Sequence, residues 1–162
     1  MQARRRATFE TSLAPAGVVA ALTDFSERRP EIWPNLDPGK FTVHELGTDW
    51  ALVTEGSRRP DLWARERYDW SQPGRVSWRA EASNFCAPGS GVDVTVEPRP
   101  GGSRVTVDWQ RRSASLAGLA IVLAFRLLGA RLLTSMHKPV FDRLAAEEIS
   151  PDLPGAGGAR PR

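Results

Sequence analysis

The chain has 162 residues and a mass of 17.8 kDa, one domain's worth of sequence. Hydrophobic residues make up 41% and charged residues 25%, a globular balance, while a single cysteine (Cys86) and two histidines (His44 and His137) exclude a disulfide framework, a multi-cysteine zinc site and an all-histidine metal centre. The net charge is only +3, and the pI of 9.7 reflects a basic set that is almost all arginine, Lys40 and Lys138 being the only lysines; so weak a field gives no nucleic-acid footprint.

Met1-Gln2-Ala3-Arg4-Arg5-Arg6 is not followed by the apolar stretch of a secretory signal, so a cytoplasmic protein is expected. Arg6 to Thr11 alternates and ends at Ser12, which predicts a first strand. Pro15 to Leu22 opens with proline in the first turn and predicts a short helix. A second short helix near Glu27 to Trp33 is capped by Ser26 and cut by Pro30 and Pro34. Three hairpins follow. Lys40 to Leu46 and Trp50 to Glu55 flank Gly47-Thr48-Asp49, where glycine offers a positive φ. Leu62 to Trp70 and Arg75 to Ala82 flank Ser71 to Gly74, and Gly91 to Glu97 and Arg104 to Gln110 flank a turn at Gly101-Gly102. In the last pair, Val92, Val94 and Val96, then Val105, Val107 and Trp109, alternate with polar residues, which predicts an antiparallel sheet with one apolar face.

That face needs a cover, and the long helix predicted from about Ser115 to Glu148 is the candidate, with a kink at Pro139. Its first half, Leu116 to Leu133, is apolar on every side. The uncharged run from Leu116 to Phe125 is half the ~20 residues of a membrane span. The outer side therefore suits either a homodimer contact or peripheral membrane contact, with Arg126 and Arg131 at the lipid surface and Arg111 and Arg112 just upstream. Residues 150–162, rich in proline and glycine, predict a disordered tail behind a single domain of residues 1–149.

The order of elements, together with Ala21-Leu22-Thr23-Asp24-Phe25, Trp33-Pro34, Tyr68-Asp69-Trp70 before Pro73-Gly74, and the Trp78 strand, resembles the SRPBCC superfamily (START-like, helix-grip). Within it the chain is similar to polyketide cyclase/dehydrase-type proteins. The resemblance covers about residues 3 to 148. It implies an α+β helix-grip fold, a seven-stranded antiparallel sheet (β-α-α-β6-α) wrapped around the C-terminal helix, with an apolar cavity between them. It also implies a small hydrophobic or aromatic ligand, such as a lipid, a polyketide or a similar metabolite. A metal-free cyclase or dehydratase is the alternative, and the residues leave open whether any reaction is catalysed.

Expected cavity residues are the apolar Trp78, Trp109, Val94 and Val107, with Trp33, between two prolines, gating access at the mouth. Trp78 and Trp109 serve equally well as plain core. On the fourth strand an even loop places Trp63, Arg65, Arg67 and Asp69 on the face of Val76 and Trp78; a bulge or an odd loop brings Glu66 and Tyr68 there instead. An inward arginine requires a carboxylate or an anionic ligand. The resemblance to aromatase/cyclases implies that Tyr68 or Asp69, where turned inward, assists proton transfer, and His137 is expected to reach the cavity from the helix. No metal spacing is present, and Gly89-Ser90-Gly91 opens a strand rather than a helix, so no cofactor is expected.

Overall fold

A computed structural model describes residues 1–149. The order is β1 (Gln2–Thr11), α1 (Pro15–Thr23), α2 (Arg29–Ile32), a 3₁₀ turn (Pro38–Lys40), β2 (Thr42–Leu46), β3 (Trp50–Ser57), β4 (Leu62–Asp69), β5 (Arg75–Ser83), β6 (Gly91–Arg99), β7 (Gly102–Arg112) and α3 (Leu116–Ile149). The strands form one antiparallel sheet in the order β1-β7-β6-β5-β4-β3-β2, with α3 packed chiefly against β1. The first strand begins four residues before its predicted start, because Gln2 to Arg5 pair with Arg112 to Trp109. The predicted tail lies outside the described residues.

Alternation along each strand turns one set of side chains toward α3. Reading across the register, Trp109, Val92, Trp78, Tyr68 and Ala51 form one row. The neighbouring row holds Val107, Val94 and Val76, all fully buried. The row on the other side holds Arg111, then Ala80, Glu66 and Val53; Ser90 lies between Arg111 and Ala80, accepting from the Ala80 amide at 2.8 Å while its hydroxyl accepts from Arg112 N at 3.1 Å.

Turn geometry decides the facing of β4. β4 ends at Asp69; the Trp70 amide still donates to Asp49 O at 2.8 Å, in register with the Trp50–Asp69 pair, and its ring packs beside Phe25. The loop is thus five residues long, odd rather than even, and Tyr68 pairs with Trp78. A bulge at Arg65/Glu66 adds one residue on β5. The even-loop expectation is therefore reversed: Ala64, Glu66 and Tyr68 are buried, while Trp63, Arg65, Arg67 and Asp69 are exposed. Gly47, expected at positive φ, is not in that region; the Trp50 indole stands 2.3 Å from where its β-carbon would be.

α3 runs unbroken through Pro139. Ser115 Oγ caps it by accepting from Gly118 N at 3.2 Å. Two glycines let it approach the sheet closely: a β-carbon on Gly118 would lie 1.8 Å from the Phe85 carbonyl oxygen, and one on Gly129 would lie 2.4 Å from the side chain of Arg5. Arg5 in turn donates to Phe125 O (3.0 Å) and Arg126 O (2.5 Å), fastening mid-helix to β1. The outer side of the same stretch stays bare, with Leu116 86% and Leu127 76% exposed and Leu123 and Leu128 about half so.

Candidate functional site

Between the sheet and α3 lies a cavity of about 270 Å³. Its floor is the Trp109–Tyr68 row and the Arg111–Glu66 row, and its roof is Phe125, Leu133, Met136 and His137 of α3. Trp33 and Leu22 close one side, and the exposed residues Asn35, Trp63 and Met136 mark the mouth. Aromatic packing holds the walls: Tyr68 stacks on Trp78 at 5.1 Å, Trp109 on Phe125 at 4.2 Å, and Trp33 meets His137 edge-on at 5.8 Å. The row of Val107, Val94 and Val76 lies outside the cavity, in the solid core.

Two buried ionic groups punctuate these walls. In the first, Arg29 from α2 pairs through Nε with Glu55 Oε1, donates through Nη1 to Leu22 O and Asp24 O (both 3.1 Å), and donates through Nη2 to the Tyr68 hydroxyl at 3.2 Å. The Tyr68 hydroxyl donates onward to Glu55 Oε2 at 2.9 Å. All three guanidinium nitrogens are thus engaged. Burial is the largest influence on Arg29 and works against its charge, but Glu55 and Tyr68 outweigh it and its pKa lies above the ordinary value. Burial, then Glu55, push the Tyr68 phenol well up, so it stays neutral.

In the second group, Arg111 Nη1 donates to Glu66 Oε1 at 2.8 Å and to Cys86 Sγ at 3.2 Å. Only Ala80 and Ser90 stand between them, and their small side chains let the arginine reach across two strands. Burial pushes the Glu66 carboxyl up and Arg111 pulls it only part of the way back; Glu66 and Cys86 keep Arg111 charged against the cost of burial. Among the described residues, no group of three or more His, Cys, Asp or Glu side chains is placed to hold a metal ion.

Of the residues expected at the cavity, Trp33, Trp63, Tyr68, Trp78, Trp109 and His137 lie on its wall. Arg65 and Arg67 do not: Arg65 meets Glu81 at 3.5 Å and Arg67 lies over the Trp50 ring at 4.0 Å, both on the outer face. Val94 and Val107 do not either, because α1 and the core cover their row. Arg111, read as a flank of the apolar helix, instead belongs to β7 and points inward. The groups missed by sequence reasoning are Arg29, Glu55 and the Glu66–Arg111 pair. The requirement that an inward arginine find a carboxylate was the available signal, but it does not say which arginine turns inward.

No family model matches the sequence, and no curated protein matches it either. Solved structures do. The Zhui aromatase/cyclase from Streptomyces sp. R1128 superposes with a TM-score of 0.73 at 11% identity, over 98% of this chain and 100% of that one. A START superfamily protein from Mycobacterium smegmatis gives 0.66 at 10% identity, over 87% and 98%. Norcoclaurine synthase from Thalictrum flavum, solved with dopamine and hydroxybenzaldehyde, gives 0.66 at 9% identity, over 93% and 90%. The fold is the helix-grip fold of START-like and aromatase/cyclase proteins, as the resemblance implied.

Proposed function

We propose that this protein binds a small hydrophobic or aromatic molecule in the cavity between the sheet and α3. The observation that carries the reading is the cavity itself, about 270 Å³ of open space walled by Trp33, Trp78, Trp109, Phe125 and Leu133. Ligand sites commonly measure ~300–1,000 Å³, so this one suits a compact guest such as a bicyclic aromatic better than a long acyl chain. The likeness to an aromatase/cyclase and to an enzyme solved with two aromatic compounds supports the same class of guest. Calorimetric titration of the purified chain with naphthalene derivatives tests it. Saturable binding that is lost in Trp109→Ala or Val92→Trp is expected; absence of uptake by any aromatic or fatty-acid probe overturns it.

The outer side of α3 favours a second role alongside the first, attachment to an anionic membrane surface. The exposed leucines 116, 123, 127 and 128 are accompanied by exposed Arg126 and Arg131, and from Leu116 to Phe141 the helix carries no acidic residue. An apolar stripe with only positive charge matches lipid bearing negative headgroups. Co-sedimentation with vesicles containing phosphatidylserine is expected, reduced in Leu127→Glu and with phosphatidylcholine alone. A protein that ignores both vesicle types has no such role.

A further inference from the structure

α3 turns His137 into the cavity, and the residue is only 7% exposed. Its ring stands edge-on to Trp33 and tilted against Phe141, so two aromatic neighbours fix its plane. Nδ1 lies 2.8 Å from the Leu133 carbonyl oxygen. A carbonyl only accepts, so Nδ1 carries the proton and Nε2 of the neutral ring is a bare acceptor. Nε2 has no protein partner. Among the described residues every side-chain nitrogen or oxygen sealed from space has one, so Nε2 is unsealed, on a side chain that lines the cavity.

The charged groups of the wall limit what Nε2 is able to accept from. Two guanidinium groups, Arg29 and Arg111, already face two carboxylates, Glu55 and Glu66, and the four charges balance. A cationic amine would add a charge with no counterpart in a low-dielectric space, whereas a neutral O–H adds none. Resting on the reading of the cavity as a ligand site, we propose that its guest carries a hydroxyl group, whether alcohol, phenol or enol, which donates its proton to His137 Nε2. The aromatic walls take the apolar body, and this one hydrogen bond sets the orientation of the guest.

A matched pair of probes tests the assignment. With the full chain, calorimetric titration is expected to show 2-naphthol binding about tenfold tighter than 2-methoxynaphthalene, which has the same rings but no donor. In His137→Phe the two are expected to bind alike. A second readout needs no variant: histidine-selective ¹⁵N NMR is expected to find the proton on Nδ1 in the free protein, and to show the Nε2 resonance moving with 2-naphthol but not with 2-methoxynaphthalene. Equal affinities of the two probes in the wild-type protein, or a proton on Nε2, overturn the hydroxyl assignment and leave the cavity reading standing. If neither probe enters, the ligand site itself fails and the assignment with it.

Discussion

Arg111 on β7 donates to Glu66 on β4 at 2.8 Å, a contact that spans the two strands between them and is buried on both sides. Such a pair is costly to break and cheap to replace, since removing one partner strands the other charge in low dielectric. Arg111→Met is expected to lower stability by about 3–5 kcal/mol, and the double change Arg111→Met with Glu66→Leu to recover most of that. Urea unfolding followed by tryptophan fluorescence reads both; a double variant no more stable than the single one would show that the pair does more than neutralise itself.

Arg29 is a different kind of group, a latch. Its three nitrogens reach the end of α1, Glu55 of β3 and Tyr68 of β4, which ties the helical connection to the sheet. Arg29→Lys supplies one nitrogen where three are used. Hydrogen exchange of residues 15–33 is expected to quicken in this variant while exchange in β5 to β7 holds. Tyr68→Phe leaves Glu55 Oε2 and Arg29 Nη2 each one partner short, and should cost about 1–3 kcal/mol with the stack on Trp78 kept.

Which of these features could be read from residues alone depends on how local their cause is. The valine alternation at 92, 94 and 96 and at 105 and 107, and the turns between paired strands, are written in consecutive residues, and they imply the sheet and its need of a helix. The facing of β4 is not local in this sense. It turns on the register across the turn to β5, where Tyr68 and not Asp69 stands opposite Trp78, and a shift of one residue there exchanges Arg65 and Arg67 for Glu66 and Tyr68 as the inward set. Arg29 lies in a short helix that Pro30 and Pro34 cut, and its partners Glu55 and Tyr68 lie 26 and 39 residues away, so no local pattern marks it. The cavity, likewise, is a property of the rows across the register, where residues from β3, β4, β5, β6 and β7 meet those of α3, and no single strand signals it.

Gly118 carries the next prediction. Alanine is the better helix former by ~1 kcal/mol, yet a β-carbon here would stand 1.8 Å from a backbone oxygen of the Phe85 loop. Gly118→Ala should therefore destabilise, by the ~1–3 kcal/mol of an overpacked contact, and move the loop that carries Cys86. A stabilised Gly118→Ala in thermal unfolding would mean that α3 does not approach the loop this closely.

The buried histidine gives the fold a pH dependence of definite sign. Burial is the chief influence on His137 and holds its pKa below the ordinary 6.5, the bond to Leu133 O opposing this more weakly. Below pH 6.5 the unfolded chain binds a proton on this residue that the folded chain does not, so stability present above that pH is lost as pH falls toward the depressed value. Glu66 acts in the opposite sense: its raised pKa means the folded chain binds a proton first, which adds stability as pH falls toward 4.5. Comparing wild type with His137→Gln separates the two, because the Glu66 contribution is common to both and cancels in the difference. That difference, measured by urea unfolding at pH 7.5 and 5.5, should shift in favour of the variant at the lower pH. A difference that stays constant would show that the ring takes its proton as easily folded as unfolded, and that Nε2 is not the neutral acceptor facing the cavity.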